Sequence, residues 1–478
     1  MLFNSLEFAL FFPLVFVFYW LVFNRKYTYQ NVFLLASSCF FYGWWDVQFL
    51  LLIALNTTVD FFIGLALNST KKEGKRTALL LVSICINIGL LGFFKYYNFF
   101  IDAFVQSFEL FGKSISVNRL NILLPVGISF YTFQTLSYTL DIYFEKIEPT
   151  PNYLKYASFV SFFPLLLAGP IERASNMLPQ LGRKREFEYG KMVVASRQIL
   201  WGLFKKMVIA DNAAVFVNDI FQNYETYNSA TLLLGVILFA FQVYGDFSGY
   251  SDIAVGIAGL LGFEVTQNFR FPYFSRSIGE LWKRWHISLT TWLNDYVFTP
   301  LAFSWRSAGK KGTFLAVFIT FLISGFWHGA EWHYVAWGAF WGFSFLPILV
   351  KSSVKSPFSV NISEPPQLKD IHRIVFTFGW ICLGGLLFRA DSLDQAFYMI
   401  YKMVNPHFWD LPEVRPFELI GLVIGFVWLE WKGRSDNFGI ENILNFWPKW
   451  LRWSFYYMLR VSIFWWGANS QEFIYFQF

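Results

Sequence analysis

Apolar runs long enough to cross roughly 30 Å of hydrocarbon at about 1.5 Å per residue recur along the whole chain. They fall near residues 6–23, 29–45, 48–67, 78–98, 121–141, 229–247, 312–328, 332–350, 373–389, 415–431 and 453–467. Hydropathy therefore predicts roughly ten or eleven spans in an all-α polytopic membrane protein. Composition agrees: of 478 residues 56% are hydrophobic and only 15% charged, with a mean hydropathy of +0.43. That is more apolar surface than one soluble core buries. Aromatic residues make up 22% of the chain, more than interface belts require, so rings are also expected to line interior cavities.

The net charge of +6 is spread over short clusters between apolar runs, which fits a bias toward cytoplasmic loops rather than a nucleic-acid-binding patch and argues against a nucleic-acid partner. Cys39, Cys85 and Cys382 each sit in an apolar stretch without CxxC spacing, so neither a disulfide framework nor a metal site is indicated. Residues 6–23 lack a basic stretch before them and a small-residue cleavage site after them, and read as a first membrane helix instead of a removable signal. Asn24-Arg25-Lys26 and the Lys71–Arg76 cluster, against the intervening loop Trp45-Asp46-Val47, which has no Lys or Arg, orient the N-terminus outward. Residues 156–170 end in Ala-Gly-Pro and suggest a re-entrant segment beside a cavity, because broken backbone at membrane depth needs protein or water around it. Residues 352–368 read as an extramembrane linker, and no internal repeat is visible. The chain is expected to form one integral membrane domain over residues 1–478, ending in an aromatic tail, 468–478.

Three stretches place polar residues where lipid-facing sequence has none. Residues 321–338, FLISGFWHGAEWHYVAWG, carry His328 between Gly325 and Gly329. A histidine there either satisfies a core carbonyl or serves chemistry. The flanking glycines allow close approach of backbone or ligand, and a neutral imidazole in a low-dielectric site is a usable general base. His333 lies five residues on, off the face that His328 presents, so the i, i+4 metal pair is not formed. His333, His372 and His407 are assigned structural roles. The second stretch, Gln242 to Asp252, places Asp246 and Asp252 at the end of the run 229–247. The third, Glu280 to Tyr296, alternates Trp, Lys and Arg around His286, a pattern shared by interfacial helices and functional sites.

Phe326-Trp327-His328-Gly329-Ala330 followed by Trp337-Gly338 resembles the histidine motif of the membrane-bound O-acyltransferase (MBOAT) family, in the bacterial branch that acetylates alginate and peptidoglycan. The likeness extends over Leu124-Pro125-Val126-Gly127, Phe163-Pro164, Gly169-Pro170-Ile171, Tyr244-Gly245-Asp246-Phe247-Ser248-Gly249-Tyr250-Ser251-Asp252, Asn268-Phe269, Trp285-His286-Ile287-Ser288 and Trp292-Leu293. It departs at Phe298-Thr299-Pro300-Leu301-Ala302-Phe303, where relatives often carry Pro-Leu-Gly-Gly.

The resemblance implies a ring of helices, with re-entrant and interfacial pieces, around a central funnel. It makes His328 the catalytic histidine and His286 the second position, nearer the cytoplasmic face. It implies an acyl thioester donor, most simply acetyl-CoA, with no bound cofactor and no metal. The acceptor is an exported or cell-wall polysaccharide, and an extracytoplasmic acyltransferase of the SGNH-hydrolase type completes the transfer. The location implied is the bacterial cytoplasmic membrane, multi-pass. Charge alone suggests that Lys283, Arg284 and His286 bind the donor's phosphates. The tail reads from composition as an interface anchor; because bacterial relatives end in a similar Phe-x-Tyr-Phe pattern, the resemblance makes Tyr475 a candidate acyl-carrying catalytic residue. A different class of protein, a polysaccharide-export channel or transporter subunit, would also bury histidines and carboxylates, but it usually shows broken helices paired between two related halves.

Overall fold

The computed structural model describes residues 1–109, 117, 119–167, 169–351, 364–404, 410–467, 471 and 473–474. Every regular element among these residues is a helix. Among the described residues six helices are long and apolar enough to cross a membrane: Gln48–Ser69, Glu73–Glu109, Ser229–Leu260, Arg306–His328, Trp332–Val350 and Leu368–Arg389. The other five expected spans are helices too, Leu6–Leu21, Tyr27–Gly43, Ile128–Tyr143, Phe417–Lys432 and Lys449–Trp466. They run only 16 to 18 residues, near or below the roughly 20 that an untilted span needs. The run 121–141 is shortened at its start because Gly127 takes a left-handed φ of 78°. A side chain there would collide with the Leu166 carbonyl, so the helix begins only at Ile128.

The described residues group into two compact units. The first, residues 1–192 and 257–266, is inverted relative to a soluble protein. Leu51 and Phe62 are exposed, whereas Asn56, Asp60, Ser83, Asn87, Thr135 and Thr139 are buried. These six bond to one another: Ser83 and Asn87 donate to the Asp60 carboxylate at 2.6 and 2.8 Å, Asn56 and Thr135 donate to the Asn87 side-chain oxygen at 3.0 and 2.8 Å, and the Ser83 and Thr139 hydroxyls lie 3.1 Å apart. Apolar outside and hydrogen-bonded polar inside is what lipid demands. The expected re-entrant stretch forms two short helices, Tyr153–Val160, buried from Tyr156 onward, and the buried Phe163–Leu166, broken at Ser161 and Phe162. Neither is long enough to cross hydrocarbon.

The second unit, residues 193–256 and 267–478, contains the candidate site. The Gly309–His328 and Trp332–Ser344 helices pack closely because Gly325 faces the Tyr334 carbonyl and the Gly338 backbone, and a Cβ on Gly338 would sit 2.5 Å from the Phe321 carbonyl. The same device joins residues 202 and 249, where either Cβ would meet the other glycine's carbonyl oxygen. Of the expected linker, residues 352–363 lie outside the described residues. So do His407 and, in the tail, all but Gln471, Phe473 and Ile474.

Candidate active site

His328 is the last residue of its helix, whose continuation is broken by extended backbone at Gly329. A side chain at residue 329 would strike the Tyr334 ring, so this turn requires glycine. The imidazole is buried and surrounded edge-on by the rings of Trp327, Trp337 and Phe388, at centroid distances of 4.9, 5.1 and 5.3 Å. It lines a narrow cavity of about 60 Å³ with Trp282, Trp285, Trp337, Trp341 and Ile474 among the walls. A space of that size holds a few small-molecule atoms, not a long chain. Trp282 stands perpendicular to both Trp337 and Trp341. The indole N–H groups of Trp282 and Trp341 are buried without a hydrogen-bond partner among the described residues. Unpaired donors are expensive to bury, so their place beside the cavity is notable.

His286 does not lie on an interfacial helix. Between the Ile278–Leu281 and Ile287–Leu293 helices the chain turns sharply, with His286 in a left-handed conformation at φ 44° and ψ 53°. Two main-chain bonds pin this turn to the preceding loop: Arg270 N–H to the Arg284 carbonyl and Ile287 N–H to the Asn268 carbonyl, both 2.9 Å. The Asn268 side-chain oxygen accepts from the Ser288 N–H and hydroxyl, at 3.2 and 2.9 Å, and lies 3.2 Å from His286 Nδ1. A peptide N–H only donates, so that atom is the oxygen, Nδ1 carries the proton, and the lone pair falls on Nε2. Burial lowers the His286 pKa to about 3, holding the ring neutral. The Trp327 ring contacts both histidines, at 4.9 Å from His328 and 6.1 Å from His286.

The remaining predicted residues separate. Arg284 is buried and ion-paired with Glu280 at 2.8 Å, and it also donates to the Arg270 carbonyl. Burial opposes ionising Glu280, but Arg276 and Arg284 together outweigh it and hold the carboxyl below its ordinary range. Arg284 thus braces the His286 turn. Lys283 is partly exposed, and burial lowers its pKa. His333 faces Glu331 at 3.3 Å, outside the cavity lining. Tyr475 lies outside the described residues, but Ile474, which precedes it, is a wall of the His328 cavity.

Asp246 and Asp252 do not end a helix. The helix continues to Leu260 because both carboxylates find buried partners: Lys205 lies 2.6 Å from Asp252, and Lys206 lies 2.7 Å from Asp246 and from Asp211. Burial opposes charging Lys206, and the two carboxylates outweigh it and keep its pKa raised. One ammonium serves two acids, so burial, with Asp246 nearby, raises Asp211 to about 7 despite Lys206. Both lysines occupy a π-helical segment, Phe204–Ala210. The sequence signal was available: two lysines in Gly-Leu-Phe-Lys-Lys-Met-Val-Ile-Ala are as foreign to an apolar run as His328 is. Among the described residues no cluster of His, Cys, Asp and Glu could hold a metal ion.

Residues 145–353, which include both His286 and His328, match the model of the membrane-bound O-acyltransferase family. The chain is 36% identical over 456 residues to the probable alginate O-acetylase AlgI of Pseudomonas aeruginosa, covering 93% of this chain and 82% of the relative. It is 31% identical over 438 residues to the peptidoglycan O-acetyltransferase of Helicobacter pylori, covering 85% and 80%. It is also 25% identical over 287 residues to the teichoic acid D-alanyltransferase of Bacillus subtilis, covering 58% and 71%. With six helices among the described residues fit to cross a membrane, the chain is a multi-pass membrane protein that belongs to the membrane-bound O-acyltransferase family.

Proposed function

We propose that this O-acyltransferase takes an acetyl group from a cytosolic thioester, acetyl-CoA, and passes it across the membrane toward O-acetylation of an exported or cell-wall polysaccharide. The observation that carries this reading is a buried imidazole, His328, opening onto a narrow cavity walled by indoles. His328 removes the proton of an acceptor hydroxyl as its oxygen attacks the thioester carbonyl. The C–S bond breaks, and the proton passes from the imidazole to the departing thiolate. The Trp282 and Trp341 N–H groups, which have no hydrogen-bond partner among the described residues, supply hydrogen bonds to the oxyanion. His286 orients the donor at its end of the site through a neutral ring fixed by Asn268.

The first acceptor is the phenol of Tyr475, whose aryl ester keeps much of the thioester's transfer potential because a phenoxide leaves readily. An extracytoplasmic acyltransferase of the SGNH-hydrolase type then places the acetyl group on a sugar hydroxyl. Ile474 at the cavity wall supports this order. Alginate and peptidoglycan, named for the relatives above, define the acceptor class. Purified protein given acetyl-labelled acetyl-CoA is expected to release CoA and retain label on the chain. Binding of acetyl-CoA with no CoA release and no label would overturn the reading and favour a transport subunit.

A further inference from the structure

The charged residues around Asp246 do more than neutralise one another. Lys206 donates to Asp246 and Asp211, at 2.7 Å each, and also to the carbonyl of Gln471 at 3.1 Å. On its other side Asp246 accepts the main-chain N–H of Ile474 at 2.7 Å. One ion pair therefore holds a C=O and an N–H three residues apart on the C-terminal segment. Between these two points Phe473 is buried and stacks on Tyr250 at 4.5 Å, with planes 27° apart.

A buried ion pair is a poor way to gain stability, since apolar residues of similar volume usually do as well or better. Main-chain groups entering an apolar interior, by contrast, need partners. An ammonium with three donors and a carboxylate with two acceptor oxygens can neutralise each other and still bind one carbonyl and one N–H. Contacts to main-chain groups also fix register without depending on side-chain identity.

We infer that Lys206 and Asp246 form a backbone clamp, an interior docking site for the chain's own C-terminal segment. The clamp sets the register of Gln471, Phe473 and Ile474, so that Ile474 forms one wall of the His328 cavity. Both clamp residues act through the tail and are positioning residues. The docking stands on the contacts alone; its effect on catalysis rests on the acyl-transfer reading above.

Hydrogen–deuterium exchange of the full-length protein in detergent, followed by mass spectrometry, tests the clamp. Ile474→Pro removes the N–H that Asp246 accepts and leaves the ion pair untouched; Ile474→Val keeps the N–H and most of the side chain. Losing a charge-assisted hydrogen bond is expected to speed exchange in the peptide covering residues 468–478 by about tenfold or more in Ile474→Pro. Ile474→Val should exchange at the wild-type rate, and peptides from Ser229–Leu260 should stay protected in both variants. Asp246→Ala, made from the other side of the contact, should release the same peptide. Tail exchange that is already fast in the wild type, or equal in wild type and Ile474→Pro, overturns the clamp. In acyl transfer, Ile474→Pro is expected to lower kcat with little change in donor KM. Tail release with full kcat would leave the clamp standing and remove the tail from the catalytic sequence.

Discussion

The indole of Trp337 meets the imidazole of His328 edge to face, with centroids 5.1 Å apart and planes at 82°. Perpendicular packing of this kind constrains the histidine ring through shape and the ring quadrupole. The same geometry recurs around the cavity, where Trp282 stands at 79° to Trp337 and at 89° to Trp341. Such walls leave little freedom to widen.

The size of the acyl group should therefore respond to Trp341, which lines the cavity and packs over Gly384. Trp341→Phe removes one ring of the bicycle and enlarges a space of about 60 Å³. Transfer of butyryl relative to acetyl, measured by competition between the two thioesters, should rise by about tenfold, the scale of one or two methylenes in an apolar pocket. An unchanged ratio would place the acyl group elsewhere.

His286 makes a prediction about pH. Its folded-state pKa, about 3, lies below the ordinary value of 6.5. Between those values the unfolded chain binds the proton and the folded chain does not, so the stability from keeping this ring neutral is complete above about 6.5 and declines as pH falls toward 3. His286→Asn removes the titrating group, and its thermal midpoint should vary less between pH 4 and 6.5 than that of the wild type. Parallel curves would mean that the ring is not held neutral. Transfer by this variant should recover partly at high donor concentration, as expected for a residue that orients the donor.

The close crossing of the Gly309–His328 and Trp332–Ser344 helices depends on Gly325. A methyl group there meets the Tyr334 carbonyl and the Gly338 backbone, and neither can move without shifting a helix. Gly325→Ala should destabilise the protein by about 1–3 kcal/mol, the usual range for overpacking a tight contact, with transfer reduced because His328 sits one turn away. Wild-type thermal stability would show that the helices separate without cost.

Much of this organisation is legible in the sequence because lipid punishes exceptions. All eleven apolar runs form helices, and His328 stands out since an imidazole in such a run needs a reason. What escapes local reading is pairing over distance. Asp246 and Asp252 look like the end of a helix until Lys205 and Lys206 are placed beside them, roughly 40 residues away in the chain. The 280–296 segment has the composition of an interfacial helix, yet Trp282, Arg284, His286 and Trp292 are buried. No periodicity announces the left-handed turn at His286, which exists because Asn268 and Arg270 bond across it. Asn268, which nothing in its local sequence links to His286, sets the His286 tautomer.

Tyr475 offers a clean chemical substitution. Tyr475→Phe keeps the ring and the apolar surface and removes only the hydroxyl. Polysaccharide acetylation in cells should be lost while membrane levels and partner binding persist. Wild-type acetylation would reject the aryl-ester relay and leave the tail as a docked segment.

In the proposed reaction the His328 imidazole removes the acceptor's proton. The direct measurement is acyl transfer from labelled acetyl-CoA by purified His328→Ala, with its thermal midpoint matched against the wild type. Removing a general base should lower the rate by about 10²–10⁴-fold while acetyl-CoA still binds. A folded His328→Ala protein that transfers acetyl at close to the wild-type rate would contradict the account.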